Sequence, residues 1–406
     1  MQELVVSGVL VGAVLGAAVG GKLADRLGRR RLIFITAGVF VVGAVGMGFS
    51  PGVWWLIGFR FLAGVGIGIA SIVGPLYISE TAPPKIRGSV VSFNQLAITS
   101  GILIAYLVGY ALSFSGGWRW MLGLGAVPAL ALGIGMLFMP ESPRWLVAHG
   151  EEEEARDVLE RIDDSIDHNE VIESIRDAIR QESGGSSELL KAWLRPALIV
   201  GISLAVFQQI TGVNTVIYYA PTIFHATGFG GSASILGTVG VGIVNVLLTV
   251  AAILLVDRVG RRPLLLVGLA GMVLSLGILG LAFLLPALSG IVGWIAIGSL
   301  AMYIAFFAVG LGPVFWLLIS EIYPLEVRGA AMSVASVGNW ASNLLVSLTF
   351  LSLVGAIGRP FTFWLYAVVG VASLVFVYLL VPETKGRSLE DIQNLWSKRA
   401  GEKGDL

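Results

Sequence analysis

The chain has 406 residues, 56% of them hydrophobic and 13% charged, with 26 basic and 26 acidic side chains and no net charge. Soluble domains carry about a quarter charged residues, so this composition excludes an ordinary soluble protein and makes lipid the natural solvent. The absence of cysteine excludes disulfides, thiolate nucleophiles and cysteine metal sites together.

From Leu4 onward the N-terminus is apolar, with neither the basic region nor the small-residue cleavage site of a signal peptide, and it reads as a spanning helix. A bilayer core about 30 Å thick takes roughly 20 apolar residues in helical form. The apolar runs are long and unalternating, which leaves helices and not a barrel. Spans are predicted near 4–21, 32–49, 53–78, 89–113, 120–139, 196–224, 233–256, 263–285, 291–319, 330–353 and 361–381, eleven in groups of five and six. In the first span Gly8, Gly12, Gly16 and Gly20 form a stripe that lets a neighbouring helix approach closely. The third contains Arg60, the one clear ionisable residue within a span. Burying it costs several kcal/mol unless it is paired or snorkels to a helix end. Gly64, Gly66 and Gly68 follow no strand, so they are not a dinucleotide fingerprint.

Between the two groups, 145–194 is the only soluble stretch of any length. It begins with the acidic run Glu151 to Glu154, suited to a solvated helix N-terminus. The spacing of Val158, Leu159, Ile162, Ile172, Ile175 and Ile179 predicts short amphipathic helices, with Gly184-Gly185-Ser186-Ser187 as a flexible joint. In the second group, the span with Gln208, Gln209, Asn214 and Tyr218 is expected to be interrupted at Gly212 and Pro221. Asn214 and Tyr218, four apart, share a face.

Basic residues set the orientation. Lys22, Arg26, Arg29, Arg30, Arg31, Lys85, Arg87, Arg258, Arg261, Arg262, Arg328, Lys385 and Arg387 fall on one side, against Arg119 and Arg359 on the other. The basic side is predicted cytoplasmic, with the C-terminus inside and the N-terminus outside. The halves echo each other. Asp25-Arg26-Leu27-Gly28-Arg29-Arg30 matches Asp257-Arg258-Val259-Gly260-Arg261-Arg262, Ser79-Glu80 with Arg87-Gly88 matches Ser320-Glu321 with Arg328-Gly329, and Pro140-Glu141 matches Pro382-Glu383. Repeats of this kind build many transporter folds. Two spans precede Asp257 but only one precedes Asp25, so the expectation is a complete protein of twelve spans with this chain beginning at the second.

The stretches GGKLADRLGRRR, RFLAGVGIGIA, PLYISETAPPKIRGS, SFNQL, PESPRWL, QQITGVNTVIYYAP, DRVGRRP, GPVFWLLISEIYP, GNWASN and PETKGRSL occur in this order from the first span to the tail. Together they resemble the sugar porter family of the major facilitator superfamily. The resemblance implies an all-α membrane protein of two pseudo-symmetric helical bundles that carries a monosaccharide by alternating access. It also implies an N-terminal bundle at 1–144, a cytoplasmic helical linker at 145–194, a C-terminal bundle at 195–381 and a cytoplasmic tail at 382–406. A sugar needs neutral donors and acceptors plus an aromatic plate, and amides offer both donor and acceptor. The implied substrate residues are Gln95, Gln208, Gln209, Asn214, Tyr218, Trp316, Asn339 and Trp340, with Asn245 and Asn343 as weaker candidates. The alternative is that these polar groups simply hydrogen-bond between helices. Arg60 is the implied coupling residue, by analogy with symporters in which the matching arginine pairs with an aspartate on the first helix. The absence of that helix here leaves proton symport and facilitated diffusion both open. Asp25, Arg29, Glu80, Arg87, Asp257, Arg261, Glu321 and Arg328 are implied to form salt bridges between the halves when the cytoplasmic side is closed. No phosphate loop is present, and His149, His168 and His225 are scattered, so neither catalytic nor metal residues nor a cofactor are expected. The expected partners are a sugar, protons if coupled, and membrane lipid. No nucleic acid is expected, and the carrier is taken as a monomer in the cell membrane.

Overall fold

The computed structural model describes residues 2–82, 87–162, 167–181, 192–288, 290–324, 327–386, 392 and 396. Among these, the regular structure is helical. In the first half, α1 (Gln2–Leu27), α2 (Arg29–Gly48), α3 (Val53–Thr81) and α4 (Arg87–Ser113) are followed by α5 (Trp118–Gly123) and α6 (Ala126–Phe138), which together form one crossing. Three short helices follow outside the spans: α7 (Pro143–Ala148), α8 (Glu152–Ile162) and α9 (His168–Gln181). In the second half, α10 (Arg195–Ile210) with α11 (Val213–His225), then α12 (Gly231–Val259), α13 (Arg261–Leu284), α14 (Val292–Val309) with α15 (Leu311–Ile322), and α16 (Arg328–Leu380) complete the fold.

Among the described residues ten helical stretches are long and apolar enough to cross a membrane, the last of 52 residues, Gly329–Leu380. That last stretch is two crossings, because Gly358 leaves helical geometry at φ 81, ψ 164 and Pro360 follows at once. The eleven predicted spans are therefore all present. The predicted interruption at Pro221 is not, since α11 continues through it. Proline lacks the N–H that would bond the carbonyl four residues back, and here the orphaned Ile217 carbonyl accepts the Tyr106 hydroxyl of α4 at 2.9 Å. A donor from the other half thus replaces the missing helical one.

Leu254, Val368 and Leu379 are more than 60% exposed, as expected where lipid is the solvent. Trp54, Trp55, Trp120, Trp294 and Phe49 are likewise more than 60% exposed near one end of the bundle, the position of an interfacial aromatic girdle. At the same end Arg119 lies over the Trp118 ring at 4.3 Å. The glycine stripe of α1 meets α3 at backbone contact. A Cβ at Gly12 would overlap the Phe61 carbonyl and one at Gly64 the Val9 carbonyl, whereas Gly8 has ordinary clearance at 3.4 Å. Two seams join the halves, α1 against α16 and α4 against α12.

The predicted amphipathic helices of the linker are α8 and α9. With α7 they close a small core of Leu146, Val147, Ala155, Val158, Leu159 and Ile172. The Gly184 to Ser187 joint lies outside the described residues.

Candidate functional site

The middle of the second half holds a cluster of four amides. It is built on a broken helix. α10 ends at Ile210, and Gly212 adopts φ 95, a left-handed conformation that glycine adopts without steric cost. The break turns the chain so that Gln208 and Gln209 at the end of α10 and Asn214 at the start of α11 converge. Gln209 donates through Nε2 to Asn339 Oδ1 at 2.9 Å and to Gln208 Oε1 at 3.3 Å. Asn339 on α16 donates to Gln208 Oε1 at 2.7 Å and to the Ala205 carbonyl at 3.0 Å. Asn214 Nδ2 donates to Gln209 Oε1. Gln208 donates to the Leu311 carbonyl at 2.9 Å and the Gly312 carbonyl at 3.3 Å, at the start of α15.

An amide nitrogen has two N–H donors. Those of Gln208, Gln209 and Asn339 are all spent on protein acceptors, and the three side chains are 3%, 7% and 4% exposed. Half-buried Asn214 keeps one N–H and its carbonyl. The site therefore presents a fixed amide wall with Asn214 as its adaptable edge. One turn on, Tyr218 is 37% exposed, and its hydroxyl accepts from Asn343 Nδ2 at 3.5 Å. Trp316 on α15 is partly buried against Phe315, with ring centroids 4.8 Å apart. Gln95 is half-buried on α4, and the hydrogen bonds of the cluster do not include it. Trp340 reaches across the halves, its indole Nε1 donating to Ser71 Oγ on α3 at 3.1 Å. Asn245 is buried on α12.

Arg60 lies on α3 with its Nε buried and without a hydrogen-bond partner. Its electrostatic neighbours are Tyr218 and Tyr219. Among the described residues it has no salt bridge.

At the basic end, the charges whose partners lie among the described residues pair within each half. Arg29 pairs with Glu80 at 2.9 Å and Asp25 at 3.3 Å. Arg261 pairs with Glu321 at 2.8 Å and Asp257 at 3.2 Å. The reason is local. Each arginine opens a helix four residues after its aspartate and faces the glutamate of a neighbouring helix. Nη1 of each also donates to the Ala24 or the Val256 carbonyl, at 3.2 Å in both cases. The side chains of Arg87 and Arg328 lie outside the described residues.

The repeat also hides two residues whose role spacing alone did not show. Glu141 accepts the backbone N–H groups of Arg29, Arg30 and Ser142 at 2.8–3.0 Å. Glu383 does the same for Arg261, Arg262, Thr384 and Lys385 at 2.9–3.1 Å. Each carboxylate caps the N-terminus of α2 or α13 across the chain. Gly28 (φ 88) and Gly260 (φ 103) precede these helices, and a Cβ on either would overlap the capping carboxylate. Partial burial of Glu383 pushes its pKa up, but the four N–H donors outweigh it and hold the carboxyl below its ordinary value. Ser142 and Thr384 complete the match by donating to Glu80 and Glu321. The paired Pro-Glu motifs were the available signal. Among the described residues no group of three His, Asp or Glu side chains could hold a metal ion.

The family model described as "Sugar (and other) transporter" matches residues 1–396. The putative metabolite transport protein YwtG of Bacillus subtilis strain 168 is 47% identical over 403 residues, covering 99% of this chain and 88% of that protein. The D-xylose transporter of Levilactobacillus brevis is 45% identical over 404 residues, covering 99% and 88%. Among solved structures, the proton:xylose symporter XylE bound to 6-bromo-6-deoxy-D-glucose superposes with a TM-score of 0.83 at 35% identity, over 97% of this chain and 89% of that one.

Proposed function

The chain belongs to the sugar porter family of the major facilitator superfamily and carries a monosaccharide across a membrane by alternating access, and on that premise we propose how its residues do so. The observation that carries the proposal is the amide cluster at the α10–α11 break, uncharged, prearranged and open at Asn214. Neutral amides recognise hydroxyls without the desolvation cost of a buried charge. Asn214, Gln209 and Tyr218 meet the sugar from the second half and Gln95 from the first, with Trp316 as the aromatic plate. Gln208, whose amide oxygen already accepts two hydrogen bonds, holds the wall in place, and Gln209 and Asn339 offer one oxygen lone pair each. Trp340 closes the floor between the halves through Ser71.

The substrate is a pentose or hexose, in keeping with the xylose named for two of the relatives. Arg60, a cation in a span with no carboxylate partner among the described residues, supports proton coupling, in keeping with a structural neighbour that is a proton:xylose symporter. The working division is an N-terminal bundle at 1–144, a linker at 145–194, a C-terminal bundle at 195–381 and a tail at 382–406. The paired charge networks keep each half rigid at its cytoplasmic end while the halves rock. The positive-inside rule puts the basic loops and the C-terminus in the cytoplasm, and the carrier works as a monomer in the cell membrane. Its relatives are transporters, and it makes or breaks no covalent bond.

Uptake of labelled xylose, glucose and galactose into proteoliposomes, with and without an inward proton gradient, tests this. Saturable uptake of one or more sugars, accelerated by the gradient, is expected. Uptake of none would overturn the substrate assignment, and gradient-independent uptake would overturn the coupling.

A further inference from the structure

In the second half the α10–α11 and α14–α15 crossings are discontinuous, and each break is held by the other helix pair. After α10 the chain turns at Gly212, where the Thr215 N–H bonds the Gly212 carbonyl at 3.1 Å. The Thr211 carbonyl is left without that helical donor. Thr211 is 1% exposed, so water does not serve it, and the Tyr303 hydroxyl of α14 donates to it at 2.9 Å. Tyr303 itself is fully buried. After α14 the second break falls at Gly310 (φ −103, ψ −102). The first carbonyls beyond it, Leu311 and Gly312, take the Gln208 amide from α10. The two breaks therefore exchange hydrogen bonds in both directions.

We infer that Tyr303 is a positioning residue for the sugar site: its hydroxyl fixes the angle of the α10–α11 break, and that angle aims Asn214 and Gln209. The inference rests on the amide cluster being the sugar site. Tyr303 makes no hydrogen bond to the four amides of the cluster, and its effect passes through the Thr211 carbonyl. Loss of the hydroxyl leaves a buried acceptor unpaired, a penalty that the break relieves by turning. A turned break keeps the helices packed but misplaces the one amide that still has a hydrogen bond to give.

The test is Tyr303→Phe, which removes a single oxygen, assayed by uptake in proteoliposomes beside wild type and Asn214→Ala. The expected result is a KM raised about tenfold with maximal rate within about twofold, and reduced discrimination between sugars epimeric at C4. A purely structural tyrosine would lower yield or maximal rate and leave KM and epimer preference alone, and that result overturns the inference. If Asn214→Ala abolishes binding while Tyr303→Phe leaves KM unchanged, the sugar site stands and the inference falls. If Asn214→Ala leaves KM unchanged, the sugar site itself is wrong. Should Tyr303→Phe fail to give monodisperse protein, Gly212→Ala perturbs the same break, where a Cβ would sit 3.0 Å from the Tyr366 ring, and carries the same expectation.

Discussion

The hydrogen bond from Tyr106 to the Ile217 carbonyl joins α4 to α11, and so one half to the other, toward the end opposite the basic loops. It exists because Pro221 cannot supply the helical N–H. Tyr106→Phe removes the substitute donor and leaves the carbonyl unpaired, but only in the conformation where the two halves meet at this point. Both residues are half-buried, so the penalty belongs toward the low end of that for an unmade bond, about 1–2 kcal/mol. A bias of that size moves a two-state equilibrium about 5–30-fold toward the conformation open at this end. Pro221→Ala restores the native helical donor, so Tyr106→Phe/Pro221→Ala recovers the original balance. The cysteine-free sequence allows spin labels at Ser115→Cys, just beyond α4, and His225→Cys, the last residue of α11, with pulsed electron–electron resonance reading their separation. The single variant is expected to gain long distances and the double variant to lose them again. Two results would refute the reasoning: no change on Tyr106→Phe, or a double variant as open as the single one.

Glu383→Gln weakens the cap on α13. Because the folded carboxyl lies below its ordinary value, its contribution is complete above the unfolded value of about 4.3. It is lost as pH falls through the folded value. Melting of solubilised protein from pH 7 to 3 should drop more steeply for wild type than for Glu383→Gln. Gly64→Ala forces α1 and α3 apart at the Val9 carbonyl and is expected to prevent stable accumulation, whereas Gly8→Ala, with ordinary clearance, changes the melting temperature little. Gln209→Leu strands Asn214 and Asn339 and should lose both thermal stability and transport. Gln95→Leu, outside that network, should raise KM and leave the melting temperature unchanged.

The sequence by itself determined the solvent, the helices and the symmetry. Apolar runs of bilayer length need no partner to declare themselves, because backbone groups in lipid must be satisfied within their own helix. The repeated Asp-Arg-x-Gly-Arg-Arg and Ser-Glu motifs likewise announced two related halves. What only the tertiary structure decided was where polar side chains spend their hydrogen bonds. Gln208 and Asn214 are alike in a list of amides, yet one is consumed by the carbonyls of α15 and the other keeps a donor. Arg29 and Arg261 bond within their own halves, and α11 runs on through Pro221 while Tyr106 serves the carbonyl that the proline leaves unpaired. Partners 51 to 111 residues away leave no periodicity along the chain, so burial and pairing of polar groups appear only once the helices are packed.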